Sequence, residues 1–591
     1  MPRVAFTWLC ALAVCALLAP APALGAPKAP FDHAGRFITD AQGRVFVSHG
    51  VNLVYKVPPY EASVTGFGED DAAFLEHEGF NSVRLGVIYK AVEPQPGVYD
   101  DNYLAKIAQT ASLLEKHGIT PLLDFHQDMY NERFQGEGWP DWAVLDDGAP
   151  NQPQAGFPGN YLVQPGLNRA FDNFWANATG PGDTGIGDRY AQAWKHVANR
   201  FAADEGILGY DLLNEPWPGT GWQQCANPAG CPAFDGGVFA DFYKRTLKAL
   251  REGDPKHLAF YEPNVLFNDG ADTQLPKFDD KQLGMSWHNY CLVGDVSGSG
   301  GGGGQGCNTE ELLPYQNAQK RSGATGDTTL LTEFGATEDL DTIRRVVTRA
   351  DEFMSGWQYW HYCGCTDPTT QGPGDTQAIV KDPAKPPTGD NLKSAKLDVL
   401  VRPYPQLVAG TPKPWTFDEA SKAFTLEYAT SRPGGGSFDG RPLTEVFVPR
   451  RQYPAGYAVR AEGAAIASGA GAETLLLQAC PGAQTVKVVV AKAGQSSADC
   501  AAGGKAGLTK LRLTVKPRRV HAGRTAKLRF RVAVGRVAIR GARIRFAGHS
   551  VRTDSRGRAS IRVRLRRVGP RRAVTWKRTF RHGQARVRVV G

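Results

Sequence analysis

The sequence Gly209-Tyr-Asp-Leu-Leu-Asn-Glu-Pro216 is a short apolar run that ends in Asn, Glu and Pro. This pattern is typical of a buried parallel strand whose carboxyl end opens into a loop. Other short apolar runs in the first two thirds of the chain have the same character, and longer stretches with helical periodicity separate them. The predicted strands are 51–53, 82–85, 120–124, 208–214, 259–262, 284–288, 330–333 and 357–360.

Helical periodicity fills the intervals between these runs, for example at 102–116, 190–203, 239–251 and 340–353. Alternating strands and helices over about 350 residues predict an α/β protein with a (β/α)8 TIM barrel. A hairpin at 36–47 is expected before the first barrel strand. In this fold the catalytic side chains lie at the carboxyl ends of the strands.

Composition and pattern divide the 591-residue chain into five parts. They are a signal peptide (1–26), the catalytic barrel (27–402), a β-sandwich domain (403–495), a linker (496–507) and an Arg-rich immunoglobulin-like β module (508–591). The helical pattern stops after Pro403, and alternating segments such as 423–428 and 485–490 predict the antiparallel strands of the sandwich.

The last part differs from the rest in charge. From Leu508 to Gly591 the chain has 27 Lys and Arg residues and one acidic residue, Asp554, whereas the rest has 41 basic and 58 acidic residues. Apolar residues alternate with Arg, which predicts strands with one buried and one basic face. The expected partner is an anionic membrane or cell-wall surface; the alternative is a basic spacer without a ligand. Nucleic acid is not expected, because the module is poor in aromatic residues.

The first 26 residues have the pattern of a secretory signal, with Arg3, an apolar stretch at 4–18 and small residues at 19–26. The alternatives are an uncleaved anchor, for which the apolar stretch is short, and lipid attachment at Cys15. We therefore expect a secreted protein, with cell-surface association through the basic part.

Eight cysteines follow the signal, and an even number in an exported protein favours disulfides over metal ligands. A bond between Cys363 and Cys365 closes a strained ring, so other partners for these two are left open. The pairs expected from sequence proximity are Cys225 with Cys231, Cys291 with Cys307, and Cys480 with Cys500.

Two glutamates lie where the active face of a barrel is expected. Glu215 ends the fourth strand, and Glu333 lies in Leu330-Leu-Thr-Glu-Phe-Gly335 at the end of the seventh. Two carboxyl groups suit hydrolysis of a glycosidic bond, since one protonates the leaving oxygen and the other attacks the anomeric carbon. A retaining mechanism places them roughly 5–5.5 Å apart. The alternative is that each forms a structural ion pair. The sequence contains no metal-binding cluster, and we expect no metal and no cofactor.

These residues resemble the retaining clan A of barrel glycosidases, and specifically glycoside hydrolase family 5. The resemblance includes Asn81-Ser-Val-Arg84, His126, His288-x-Tyr290 and Trp360. It implies that Glu215 is the acid/base and Glu333 the nucleophile. It also implies that Arg84 and His288 support the nucleophile and that Asn214, Tyr290 and Trp360 contact the substrate.

The chemistry sets expectations for these side chains. Arg84 is expected to lower the pKa of Glu333, and partial burial or a negative neighbour to raise the pKa of Glu215. Asn214 is expected to bind the sugar 2-hydroxyl. Structural roles are the alternatives: Arg84 as a tie between loops, Trp360 as core packing and His288 as a hydrogen-bonded buried histidine.

A finer resemblance, to bacterial endoglycoceramidases, covers residues 31–490 and not the basic part. It rests on Val54-Tyr-Lys56, Asp124-Phe-His-Gln-Asp128, Val401-Arg-Pro-Tyr-Pro405 and Thr444-Glu-Val-Phe-Val-Pro449. It implies a secreted enzyme that releases the intact oligosaccharide from the ceramide of glycosphingolipids. Lys56, Asp124, His126 and Asp128 would then bind sugar hydroxyls. The alternative for Lys56 and the two aspartates is a structural ion-pair network.

Other functions are compatible with the same fold. The main rival is an endo-β-glucanase or another β-glycosidase that acts on polysaccharides or simple glycosides. A non-catalytic surface adhesin that binds carbohydrate is a second rival, and the presence of both glutamates argues against it. The resemblance does not select the sugar that is attached to the lipid.

A ceramide leaving group requires an apolar surface beyond Glu215. Trp217, Trp222, Phe234 and Phe239 are predicted to line it, or alternatively to pack the long fourth loop. The Gly-rich run 297–306 is predicted to be a flexible loop over the site, and it lacks the Lys-Ser/Thr ending of a phosphate-binding loop.

Overall fold

The computed structural model describes residues 27–291, 305–370, 376–500, 510–534, 537–554, 556–577 and 582–591. The predicted signal peptide, residues 297–304 of the Gly-rich run and residues 501–507 of the predicted linker lie outside the described residues. Within the described residues, no helix is both long enough and apolar enough to cross a membrane.

Eight parallel strands close into a barrel, which confirms the predicted fold class. The strands, numbered here as the first to the eighth barrel strand, are His49–Leu53, Ser82–Ile88, Thr120–His126, Gly209–Asp211, Leu258–Tyr261, Leu283–Asn289, Thr328–Phe334 and Trp357–Tyr359. Every residue of these strands is buried, because the barrel interior covers one face and the surrounding helices cover the other.

Helices surround the barrel. Asp100 and Asp339 cap two of them by accepting backbone N–H groups of the first turn. The α-helices are Glu69–Glu78, Tyr89–Val92, Asp101–Lys116, Gly159–Val163, Pro165–Trp175, Ile186–Phe201, Trp222–Cys225, Pro232–Asp235, Val238–Gly253, Gln305–Glu310, Leu312–Thr325, Leu340–Phe353 and Ser394–Leu400. The 3-10 helices are Ala62–Thr65, Glu132–Phe134, Asp141–Ala143, Gly219–Gly221, Val265–Asp269 and Gly389–Asn391. A two-stranded ribbon joins Thr179–Gly180 and Thr184–Gly185.

The predicted N-terminal hairpin forms, but it belongs to the sandwich and not to the barrel. Leu407 and Val408 pair antiparallel with Phe46 and Val45, which adds the first strands of the chain to a sheet of the second domain. That sheet runs in the order Asp32–Ala34, Phe37–Thr39, Val45–Phe46, Tyr404–Val408, Thr444–Phe447, Thr474–Ala479, Ala464–Ile466. The domain division at residue 402 is therefore crossed by the N-terminal segment.

The second sheet of the sandwich packs on the first through buried side chains such as Phe424 and Leu477. It runs in the order Thr411–Pro412, Ala423–Ala429, Thr485–Ala491, Ala458–Glu462, Ser497–Ala498, with Thr416–Asp418 beside Ala423–Ala429. Ser497 and Ala498 lie in the predicted linker (496–507), so the start of the linker belongs to this sheet.

The basic part forms two further sheets that enclose a separate apolar core. One contains Arg512–Lys516, Thr525–Val534 and Val537–Ala538, with Arg558–Arg564 beside Thr525–Val534. The other runs in the order Arg519–His521, Gly583–Val590, Gly569–Trp576, Arg543–Phe546, His549–Arg552. Ala467 and Leu476 of the sandwich domain belong to the same apolar core, so the two domains are in contact.

All eight cysteines of the described residues form disulfides. The pairs are Cys225–Cys231, Cys291–Cys307, Cys363–Cys365 and Cys480–Cys500. The three pairs expected from sequence proximity are thus present. Cys363 and Cys365, whose partners the sequence left open, pair with each other.

Candidate active site

The two predicted catalytic glutamates meet at the carboxyl end of the barrel. A carboxylate oxygen of Glu215, a carboxylate oxygen of Glu333 and a ring nitrogen of His288 all lie within 4.8 Å of one another. Inverting glycosidases place a water between carboxyl groups that are about 6.5–9.5 Å apart, whereas retaining enzymes hold them at about 5–5.5 Å. The arrangement fits direct attack by one carboxylate and protonation by the other.

The backbone at Glu215 is held in an unusual conformation. Its φ of +44° lies in the left-handed region that side chains rarely adopt. The Glu215 N–H donates to Oε2 of Glu262 (2.9 Å), and the Gln127 amide donates to the carbonyl oxygens of Asn214 (2.9 Å) and Glu215 (3.1 Å). These contacts fix where the Glu215 carboxylate projects. Sequence reasoning overlooked Gln127 and Glu262, although Glu262 directly follows the fifth strand.

Arg84 lies in the buried centre of the site and does contact the predicted nucleophile. One guanidinium nitrogen donates to Oε1 of Glu333. The others donate to acceptors from several strands, namely Asp211 (2.8 Å), Asp124 (3.0 Å), Asn214 (3.0 Å) and Glu262 (3.1 Å). One rigid cation therefore sets the relative positions of four carboxylates, which come from four barrel strands or their ends.

Tyr290 and His288 complete the immediate surroundings of the carboxylates. The Tyr290 hydroxyl donates to Oε2 of Glu333 (3.0 Å). His288 Nδ1 is 2.7 Å from Oε1 of Glu215 and 3.5 Å from Oε2 of Glu333, and its Nε2 is 3.2 Å from Glu262. The sequence assigned His288 to the nucleophile, but its shortest contact is with the predicted acid/base residue.

The pKa values of the two glutamates differ from the sequence expectation. Burial raises the pKa of Glu333 to about 7, against the opposing charges of His288 and Arg84. Burial also acts to raise the pKa of Glu215, but the hydrogen bond and charge of His288 outweigh it and the pKa lies below its ordinary value. Because His288 faces both carboxylates, the three groups share protons as one system. The expected effect of Arg84 is present, but burial exceeds it.

On one side of the glutamates, Lys56 is the centre of a buried polar cluster. Its ammonium contacts Asp128 and lies 2.9 Å from the Thr369 hydroxyl and 3.2 Å from Asp367. Burial acts to lower the pKa of Lys56, but Asp128, Asp367 and Glu137 raise it above its ordinary value, so Lys56 is a cation. Asp367, Thr369 and Glu137 are additions to the predicted set, and no motif in the sequence indicates them.

Asp124, which was predicted to bind a sugar hydroxyl, is held by two other side chains of the site. It is fully buried, with Oδ1 accepting from Arg84 (3.0 Å) and Oδ2 2.8 Å from Nδ1 of His126. Asp124 therefore orients Arg84 and His126. The opposite nitrogen of His126, Nε2, has no hydrogen-bond partner among the described residues. The structural network foreseen as the alternative thus applies to Asp124.

Trp360 and Asn214 line the site on the same side. The Trp360 ring stacks on His126 at 5.2 Å between centroids, the Lys56 ammonium lies 4.6 Å from its centroid, and its indole N–H donates to Gln377 (2.9 Å). The Asn214 amide group donates to the carbonyl oxygen of Gln127 (2.9 Å) and accepts from Arg84 (3.0 Å). These bonds fix the orientation of both side chains.

The cluster beside Lys56 also contains the donor types of a metal site, since atoms of His126, Asp128 and Glu137 lie within 4.8 Å of one another. The Lys56 ammonium already contacts Asp128 and supplies the positive charge there. The cluster therefore matches recognition of neutral hydroxyl groups better than binding of a cation.

On the other side of Glu215 the prediction about aromatic residues needs correction. Phe239 and Trp217 are buried in the core, and the Trp217 indole donates to Asn168 (2.7 Å). Trp222 and Phe234 are partly buried against that core. Phe239 and Trp217 therefore have the packing role that was given as the alternative.

Another segment, residues 149–168, packs on Trp217, which follows Glu215. These 20 residues include no charged side chain and no histidine. Tyr161 packs on Trp217 with ring centroids 5.1 Å apart, and Leu162 and Val163 are 50% and 44% exposed. The Met129 N–H donates to the Tyr161 hydroxyl (2.6 Å), which ties the segment to the residue after Asp128.

Comparison with known families gives two matches. The family model described as Cellulase (glycosyl hydrolase family 5) matches residues 40–365, more than half of the chain. The model of the glycoside hydrolase family 5 C-terminal domain matches residues 402–490. The basic module lies beyond both matched ranges.

Two curated relatives are similar over most of their length. Endoglycoceramidase I of Rhodococcus hoagii is 32% identical over 477 residues, which are 79% of this chain and 89% of the relative. The endoglycoceramidase of Hydra vulgaris is 29% identical over 459 residues, which are 71% of this chain and 80% of the relative.

A solved structure is also similar, the ganglioside GM3 complex of endo-glycoceramidase II from Rhodococcus sp. It is 27% identical with a TM-score of 0.62, and the match covers 79% of this chain and all of the other chain.

Proposed function

The chain belongs to glycoside hydrolase family 5, and we propose that it is a retaining endo-β-glycosidase that hydrolyses the bond between oligosaccharide and ceramide in glycosphingolipids. The observation that carries the chemistry is the pair Glu215 and Glu333, with carboxylate oxygens within 4.8 Å of each other. The family membership and the names of the relatives support the substrate class.

The geometry supports a double displacement. Glu333, held by Arg84 and Tyr290, attacks the anomeric carbon in its ionised form, while Glu215 delivers to the departing oxygen the proton that Glu215, His288 and Glu333 share. Glu215 then takes a proton from water, which attacks the glycosyl-enzyme and releases the sugar with retained configuration. The charge that develops on the sugar is stabilised by carboxylates that Arg84 and His288 position before the reaction.

The two sides of the site suit the two halves of a glycolipid. The side with Lys56, Asp128 and His126 offers charged and polar groups for sugar hydroxyls. Trp360 is buried and packs on His126, so the structure supports the core-packing alternative for this ring. The other side presents the uncharged segment 149–168 with exposed Leu162 and Val163. Exposed aliphatic side chains on a segment that packs on the loop after the acid/base residue suit a lipid leaving group.

The rival function is hydrolysis of a polysaccharide, because the matched family model is described as Cellulase. A glucan chain would continue past Glu215 over a surface with polar or aromatic sugar contacts. The exposed aliphatic side chains of Leu162 and Val163 offer neither. They favour ceramide as the leaving group.

The first test is mass spectrometry of the products from a ganglioside, lactosylceramide and glucosylceramide in mild detergent. We expect free ceramide and the intact oligosaccharide, and no products from Glu333→Gln. Release of sugars from a soluble β-glucan, with none of the three lipids cleaved, would assign the enzyme to polysaccharides.

The proposal includes export, which the composition of residues 1–26 supports. Expression with and without these residues tests it. Export requires that mature protein beginning near residue 26 accumulates outside the cell and that the shortened chain stays inside.

We also propose that the basic module attaches the enzyme to an anionic membrane or cell wall. Its 27 basic residues against Asp554 support this role. Release of the bound enzyme by concentrated salt is the expected result, because salt screens exposed charges. Retention that does not depend on salt would contradict the proposal.

A further inference from the structure

We infer that the C-terminal module (residues 510–591) is a binding module for a linear polyanion, and that it uses both outer faces of its β-sandwich. The ligand is a flexible chain with a negative charge at each repeat, such as a phosphodiester or uronate polymer. The inference rests on the attachment role proposed above and specifies the chemical class of the partner.

The first observation is a grid of cations on one sheet. The strands Arg512–Lys516, Thr525–Val534 and Arg558–Arg564 are neighbours, and every second side chain points outward. Cations face each other across the strands, with Lys516 opposite Arg529 and Lys527 opposite Arg562. A third pair, Arg531 and Arg558, lies at the part of this sheet that faces the barrel across a cavity. Outward residues repeat at about 6.5–7 Å along a strand and about 4.8 Å between strands. Charges on this face therefore recur at intervals of a few ångströms along and across the strands.

The second sheet carries a similar set on the opposite face. Arg572 lies opposite Arg586 on adjacent antiparallel strands, and Arg519 pairs with Arg588 in a parallel ladder. Arg543 and Arg545 are exposed on the next strand. A planar bilayer contacts only one face of a rigid sandwich. Cations on both faces match a ligand that can wrap around the module.

These charges have no acidic counterpart within the module. In the described parts of the module no Lys or Arg forms an ion pair with a carboxylate, and Asp554 accepts backbone N–H groups of Arg556 and Arg558. Like charges placed directly across strands destabilise a sheet. An external polyanion relieves this repulsion, so its binding should stabilise the module.

The position of the module leaves the active site open. A cavity of about 600 Å³ separates it from the amino-terminal ends of the barrel strands, and its walls include Phe80, Asn81, His117 and Gly118 of the barrel and Arg531, Arg556 and Arg558 of the module. Glu215 and Glu333 lie at the opposite, carboxyl end of the strands. A polymer on the module is therefore remote from the glycoside that the barrel binds.

The test uses the full chain and two quadruple variants, one for each face. The first is R512Q/K516Q/K527Q/R562Q and the second is R543Q/R545Q/R572Q/R586Q. All eight residues are exposed, so the substitutions remove charge without opening the core. Binding to immobilised long-chain polyphosphate, and to vesicles with and without phosphatidylglycerol, is measured over a range of salt concentrations.

We expect the wild type to bind polyphosphate. The slope of log Kd against log salt concentration measures the salt dependence of binding. Each quadruple variant should lower this slope by about 2–3, because each removed charge contact contributes about 0.7. Polyphosphate should raise the midpoint of thermal unfolding of the wild type. It should not inhibit hydrolysis of a soluble aryl β-glycoside, and both variants should keep wild-type activity on that compound.

Each contrary outcome is distinct. One contrary result is that the wild type binds anionic vesicles but not polyphosphate, and that only one of the two variants weakens the vesicle binding. This result would overturn the polyanion inference and leave the attachment role intact. Binding to neither ligand would overturn both. Inhibition of the soluble glycoside by polyphosphate would show that the ligand occupies the barrel. None of these measurements uses a glycolipid, so they do not depend on whether ceramide is the leaving group.

Discussion

The Nδ1 atom of His288 lies 2.7 Å from Oε1 of the predicted acid/base residue Glu215, closer than the Asn268 amide at 3.4 Å. The carboxylates of Glu215, Glu262 and Glu333 surround the imidazole, and although burial acts to lower the pKa of His288, they raise it well above its ordinary value. A protonated ring next to Glu215 links the charge of the two catalytic carboxylates. The pH dependence of the enzyme should reflect this arrangement.

The first prediction concerns that pH dependence. The active form needs one proton on the pair Glu215 and Glu333, and burial raises the pKa of Glu333 to about 7. Above that pH both carboxylates are ionised and no general acid remains. We expect kcat/KM for a natural glycoside to fall as pH rises through about 7.

A dinitrophenyl glycoside provides the control, because its leaving group departs without protonation. Its glycosylation step should not show the alkaline decline. An equal decline for both substrates would mean that another group, or loss of the fold, controls the high-pH limb.

The second prediction assigns the roles of the two glutamates. Glu215→Ala should lower kcat/KM for a natural substrate by about 10²–10⁴, the usual contribution of general acid catalysis. Azide should rescue turnover of a dinitrophenyl β-glycoside and give the β-glycosyl azide, because Glu333 still forms the glycosyl-enzyme.

Glu333→Ala is the matched variant. Azide then enters from the opposite face and should give the α-glycosyl azide. Nuclear magnetic resonance of the product identifies the anomer. If Glu215→Ala yielded the α-anomer, the assignment of acid/base and nucleophile would be reversed.

The third prediction separates Asp128 from Asp124. Asp128 contacts Lys56 at the polar side of the site, whereas Asp124 is enclosed by Arg84 and His126. Asp128→Asn should change the ratio of kcat/KM for an aryl β-glucoside and an aryl β-galactoside, because a contact to a sugar hydroxyl carries selectivity.

Asp124→Asn should leave that ratio unchanged. It should instead lower the free energy of unfolding by about 1–3 kcal/mol, since an amide cannot accept from both Arg84 and His126 and leaves a buried polar group unsatisfied. The comparison requires the ratio of kcat/KM for the two aryl glycosides and a denaturation curve for each of the two variants. A changed ratio in Asp124→Asn at wild-type stability would return Asp124 to the substrate-binding set.

The fourth prediction concerns stability and a surface away from the site. Burial and Asp204 raise the pKa of Glu115 to about 8. A carboxyl group whose pKa is raised by folding contributes stability below its unfolded pKa and loses it as pH rises towards the folded value. Glu115→Gln should therefore raise the free energy of unfolding at pH 9 by about 1–2 kcal/mol, after allowance for solvent screening, and change little at pH 5.

Chemical denaturation at the two pH values measures this effect. Glu205→Gln, at an exposed neighbouring position, is the control. It should change the free energy of unfolding by the same small amount at pH 5 and at pH 9. If Glu115→Gln raised the free energy of unfolding equally at pH 5 and pH 9, packing and not ionisation would be the cause.

Much of the fold was predictable because it depends on local patterns. Short buried runs and amphipathic helices repeat along the chain, and the barrel strands were found within a few residues of their observed ends. The sequence also predicted the N-terminal hairpin, but it did not predict that the hairpin belongs to the sandwich. Its pairing with Leu407 and Val408 joins residues that are more than 350 positions apart, and no local pattern records such a contact.

The sequence by itself determined the barrel, the two glutamates at its carboxyl end and the separate basic module, because periodicity, motif and charge are properties of neighbouring residues. Only the tertiary structure decided how these parts act on one another. It bound Asp124 to His126, brought Asp367 and Glu137 to Lys56, and packed the segment 149–168, with exposed Leu162 and Val163, on Trp217. It also raised the pKa of Glu333 in spite of Arg84. The physical reason is that burial and electrostatic balance depend on every group that converges on a point, and those groups come from distant parts of the chain.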